Sequence, residues 1–145
     1  MSNVRRQCAI MVYSQLTQAL RRGILVALLA PAVSAVAGAA ATLLAPASNQ
    51  GFLHLNPTFT SFIVLSLLYA SSMYVQVAFP GFLAGIALTA MRNRFSPVGA
   101  SFCCGLIGVS LHTILFFPLP LSNALSPFIG ITLAAYVAEK CCADA

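Results

Sequence analysis

Cys103, Cys104 and His112 stand within one uncharged run, SFCCGLIGVSLH at 101–112. Thiolates and an imidazole are ligands for zinc and for thiophilic cations. If the run is a helix, its geometry limits that chemistry. Cys104 and His112 share a face but lie a rise of ~12 Å apart, whereas zinc ligands hold their atoms about 2.0–2.3 Å from one ion. Adjacent helical cysteines point about 100° apart, so a Cys103–Cys104 disulfide is not expected. The run by itself encloses no ion.

The other residues with chemical potential are few. Cys8, Cys141 and Cys142 complete the cysteines, His54 is the second histidine, and Glu139 and Asp144 are the only acids. Paired-carboxylate catalysis within an apolar segment is therefore excluded. There is no phosphate-binding glycine loop, GxSxG or HExxH. No catalytic residue and no cofactor is expected, and the chain is read as a non-enzyme. His54 is expected to be solvated and His112 to hydrogen-bond a neighbouring helix, with Asn56, Ser122 and Asn123 as nearby polar groups.

Everything else in the chain describes what must position these groups. Of its 145 residues 60% are hydrophobic and 6% charged, and the mean hydropathy is +0.95. Soluble domains carry roughly a quarter charged residues, so an integral membrane protein is expected. Spanning helices need about 20 apolar residues. Four stretches qualify: 23–46, 58–79 with a kinked extension to 91, 98–117 and 124–138. Pro80–Gly81 is the expected interruption of the second, because proline removes a helix hydrogen bond. Pro31, Pro118, Pro120 and Pro127 read as kink and turn residues. No Asp, Glu, Lys or Arg falls inside these four spans, which disfavours an intramembrane proton relay.

All seven basic residues (Arg5, Arg6, Arg21, Arg22, Arg92, Arg94 and Lys140) fall on one side of a four-span topology. The positive-inside bias makes that side cytoplasmic, with both termini there. The expected location is a bacterial inner membrane. The net charge of +5 then reflects topology and contact with anionic lipid rather than nucleic acid. Small residues at 32–41, AVSAVAGAAA, resemble a signal-peptidase site, but the apolar run around them is too long for one.

Residues 1–22 differ from the 23–145 transmembrane domain. Val4, Cys8, Met11, Val12, Leu16, Ala19 and Leu20 recur at helical spacing with polar residues between, the pattern of an amphipathic interfacial helix. Docking on a partner is the competing use of that face. Small residues recur every four positions in the spans: Ala30, Ser34, Gly38 and Thr42; Ala100, Cys104 and Gly108; Ser126, Gly130, Ala134 and Ala138. Gly81 and Gly85 stand in the second span. Such stripes let helix backbones approach closely, so Ser34, Gly38, Gly81, Gly85, Gly108, Gly130 and Ala134 are the expected packing residues.

The fold expected is an all-α, four-helix membrane bundle whose partners are the lipid bilayer and either another membrane protein or a second copy of itself. The corresponding role is binding, as an immunity or regulatory protein or as an accessory subunit. The vicinal pairs Cys103–Cys104 and Cys141–Cys142 carry an alternative. They resemble the thiol pairs of small bacterial mercuric-ion uptake proteins, although here the intramembrane pair is in the third helix rather than the first. That resemblance implies a carrier of a thiophilic cation, with Cys103 and Cys104 receiving it and Cys141 and Cys142 accepting it.

Overall fold

A computed structural model describes residues 2–44, 58–92, 94–116 and 121–143. Its elements are four α-helices: α1 (Ser2–Leu44), α2 (Phe59–Met91), α3 (Pro97–Phe116) and α4 (Leu121–Ala143). Each contains a stretch long and apolar enough to cross a membrane: Ile10–Leu44, Phe59–Met91, Pro97–Phe116 and Ala124–Cys142. The chain is thus an all-α membrane protein.

Capping sets two of the helix starts. The Thr58 hydroxyl accepts the Ser61 amide at 3.2 Å to begin α2, and Ser96 accepts the Gly99 amide at 3.2 Å to begin α3. Pro97, at the first position of α3, has no amide to leave unpaired there. Helix α2 runs through Pro80 without a break, and Pro31 and Pro127 likewise lie within α1 and α4. Pro80 still leaves the Gln76 carbonyl without its usual amide donor, four residues on. His112 fills that position, its Nδ1 lying 3.1 Å from the Gln76 oxygen. A carbonyl only accepts, so Nδ1 carries the proton. His112 therefore does bond a neighbouring helix, at a backbone carbonyl. His54, Asn56 and the side chains of Ser122 and Asn123 lie outside the described residues.

Helices α1 and α3 are diagonally opposite, and each packs on both α2 and α4. The small stripes face inward: Ala30, Ser34 and Gly38 on α1, Ala100, Cys104 and Gly108 on α3, and Gly130, Ala134 and Ala138 on α4 are all buried. Their closeness can be read from what a methyl group would meet. At Gly85 it would come within 2.8 Å of the Arg22 carbonyl oxygen and of Gly23 Cα. At Gly130 it would run into the Ser34 hydroxyl and approach the Ala30 oxygen at 2.6 Å. At Gly108 it would meet Ile131 Cδ1 at 2.5 Å. Gly81 is looser, with 3.5 Å to Val26 and Ala30. Lipid tails are as apolar as these side chains, so such contacts hold the helices by dispersion and by hydrogen bonds. Among the latter, the Ser126 hydroxyl donates to the Ser34 carbonyl, Tyr74 donates to the Leu28 carbonyl at 3.1 Å, and Thr42 and Tyr69 pair at 3.0 Å.

The helices are unequal in length. Helix α1 has 43 residues, ~65 Å at 1.5 Å per residue, and α3 has 20, ~30 Å. No turn separates residues 2–22 from the first span. The first buried position of α1 among those described is Arg22, and the stretch before it from Ile10 onward is exposed or, at Ala19, half-buried.

Candidate functional site

Arg22 and Glu139 bring charge into the bundle. They lie in the helical stretches Ile10–Leu44 and Ala124–Cys142, each one residue outside the spans 23–46 and 124–138 expected from the sequence, and both are buried in the bundle. Burying a charge is costly unless it is paired, which makes the two a functional candidate.

The backbone delivers Arg22 to this place. Arg22, Val26, Ala30, Ser34 and Gly38 are spaced by four and all buried, one continuous face of α1. The close approach of α1 and α2 at Gly85 lays Arg22 along the last turns of α2. There its Nη1 donates to the Thr89 hydroxyl at 3.3 Å. Glu139 arrives on α4 by the same logic, since Ile131, Ala135 and Glu139 share a buried face. Its Oε2 lies 3.3 Å from Arg22 Nε and its Oε1 3.0 Å from Arg92 Nε. Arg92 belongs to the C-terminal end of α2 and its side chain is 39% exposed, against 0% for Arg22 and 6% for Glu139. One carboxylate thus joins three helices.

The cluster is incompletely satisfied. Arg22 Nε and Glu139 Oε2 are at ion-pair distance but are not aligned as a hydrogen bond, and Arg22 Nη2 has no hydrogen-bond partner among the described residues. Two guanidinium groups against one carboxylate leave one positive charge in excess. Beside the cluster is a cleft of ≈ 220 Å³ lined by Arg92, Phe95, Pro97, Ala100, Glu139 and Lys140. The structure therefore gathers Arg22, Arg92 and Lys140 at one end of the bundle.

The thiols are arranged differently. Cys103, Cys104, Cys141 and Cys142 are free, with Cys104 and Cys142 buried and Cys141 exposed. The Cys104 thiol donates to the Ala84 carbonyl at 3.3 Å, which makes it a contact between α3 and α2. Among the described residues, no three His, Cys, Asp or Glu side chains come together to hold a metal ion. The side chain of Cys8 and all of Asp144 lie outside the description.

Composition and spacing place Arg22 and Glu139 at the solvated ends of the expected spans. A signal was present: the α1 stripe, carried back by fours from Ala30, passes Val26 and reaches Arg22. Comparison with known families, characterised proteins and solved structures finds no match.

Proposed function

We propose that this is a non-catalytic membrane protein that acts by binding another membrane protein, in the manner of an immunity or regulatory protein or an accessory subunit. The observation that carries this reading is the N-terminal part of α1. Met11, Val12, Leu16 and Leu20 recur at helical spacing, and each is between 42% and 65% exposed. They project from the bundle on a helix already formed, and the described residues leave them largely open. An amphipathic helix of this kind docks by laying its apolar positions into a groove. The basic residues gathered at the same end orient it toward the cytoplasm of a bacterial inner membrane. Lipid at the inner interface is the competing occupant of the same face.

Photo-crosslinking groups at Val12 and Leu16, with a control at the lipid-facing Leu133, separate the two in native membranes. The proposal expects a stoichiometric protein partner joined at Val12 and Leu16, absent at Leu133, and lost on Val12→Asp with Leu16→Asp. Adducts to lipid alone at all three positions would refute it.

A further inference from the structure

We propose that the cleft between the end of α2, the start of α3 and the end of α4 binds the phosphate group of an anionic ligand, offered either by a lipid headgroup or by a soluble phosphate. This site is separate from the docking face of α1, and neither depends on the other.

Charge balance is the first argument. Arg92 and Lys140 both line the cleft. Lys140 Nζ sits 5.9 Å from the centre of the Tyr136 ring and has no carboxylate partner among the described residues. Arg92 spends its Nε on Glu139, leaving the rest of its planar fork for an oxyanion, the group that fork matches best. The negative ends of α2 and α4 stand beside the cleft, and Glu139, which also lines it, opposes an anion. Its two oxygens, however, face Arg22 and Arg92 at 3.3 and 3.0 Å. Among the described residues that line the cleft, Arg92 and Lys140 outweigh Glu139 by one positive charge, and the buried Arg22 beside Glu139 adds a second.

Placement is the second argument. Pro97 lines the cleft as the first residue of α3, so the positive end of a 20-residue helix stands at its edge. The positive end of this helix favours a phosphate through its dipole; its first amides are engaged elsewhere, since Pro97 has none and Gly99 and Ala100 donate to Ser96. The remaining lining, Phe95, Pro97 and Ala100, is apolar, and Phe95 is 51% exposed. A cationic rim on an apolar wall suits a phosphate ester whose other end is hydrocarbon. The volume of ≈ 220 Å³ equals that of roughly seven waters, enough for the phosphate and the start of its ester. Basic pockets between spanning helices bind phospholipid headgroups by this chemistry.

The test is a titration of the full chain in detergent with phosphatidylglycerol, phosphatidylcholine and inorganic phosphate, read by native mass spectrometry and by thermal shift. The expected result is saturable binding of phosphatidylglycerol over phosphatidylcholine, or of inorganic phosphate. The first outcome assigns the phosphate to lipid and the second to a soluble ion. Lys140→Gln should weaken that binding about fivefold, and Lys140→Arg should retain it. Among the described residues Lys140 has no ion pair and is exposed, so its variant reads binding with little effect on folding. Arg92→Gln should weaken binding similarly. Equal binding of the two lipids, no saturable binding of lipid or phosphate, or an affinity unchanged in Lys140→Gln and Arg92→Gln would overturn the proposal.

Discussion

Replacing Glu139 by glutamine tests whether Arg22 is buried as a charge that depends on its partner. The two groups are 3.3 Å apart, and at an effective dielectric constant of 20 their attraction is about 5 kcal/mol. Breaking a buried pair from one side costs about 3–5 kcal/mol, because the remaining charge cannot return to water. Glu139→Gln should therefore destabilise the bundle by about 3–5 kcal/mol, a large part of a protein's total stability. Arg22→Met should cost less, since Glu139 keeps Arg92 at 3.0 Å. Arg92→Gln should cost about 1 kcal/mol at most, because its side chain is 39% exposed and exposed pairs contribute little. The decisive variant is the double one. Arg22→Met with Glu139→Leu removes both buried charges and should lie within about 1–2 kcal/mol of the parent, as apolar replacements of buried pairs do. Reversible unfolding in mixed detergent micelles measures all four variants. A Glu139→Gln variant as stable as the parent, or a double variant showing the full sum of the single losses, would refute the account of Arg22 as a buried, partner-dependent charge.

Three further outcomes follow from the packing. Gly85→Ala should cost about 1–3 kcal/mol by pressing on α1 backbone, while Gly81→Ala, one turn away with 3.5 Å of room, should be near neutral by the same unfolding measurement; Gly130→Leu should cost at least as much as Gly85→Ala, and Leu133→Ile little. His112→Leu should cost about 1–3 kcal/mol by leaving the Gln76 carbonyl unpaired, and clearly less in a Pro80→Ala background, where the restored amide reaches that carbonyl; equal losses in both backgrounds would disprove the link between Pro80 and His112. Cys103→Ala with Cys104→Ala should cost about 1 kcal/mol, chiefly the Cys104 thiol bond, and mercuric-ion uptake by cells should be at background for the parent, this variant and the Cys141→Ala, Cys142→Ala pair alike.

The helices could be read from composition and the packing faces from four-residue spacing, because both are local properties of the chain. The partners could not. His112 was recognisable as a polar group needing a neighbour, but its partner is a main-chain oxygen 36 residues earlier, freed by Pro80, which reads in the sequence as a kink in α2 and not as the source of an unpaired carbonyl. The charge cluster was hidden for a related reason. Arg22 and Glu139 stand at the ends of apolar stretches, where a basic or acidic residue ordinarily marks the membrane boundary. Only the inward face of each helix, followed one turn past that boundary, shows that both belong to the interior.

Two constraints on α1 meet at Arg22, and neither suffices alone. Arg21 precedes Arg22 and is exposed, so a rotation of α1 by one residue, about 100°, would still offer a guanidinium to Glu139. The charges by themselves therefore leave the register of α1 open by one position. The small stripe closes it. The same rotation would bring Leu29 and Val33 to the place of Ala30 and Ser34, and these larger side chains would press on Gly130, which lies so close that a methyl group added to it would run into the Ser34 hydroxyl. Packing at Gly130 and Gly85 thus selects Arg22 over Arg21, and the buried ion pair then penalises any departure from that choice. Because Arg22 is also the point at which α1 leaves the bundle, the register fixed there sets the direction in which Met11, Val12, Leu16 and Leu20 are presented.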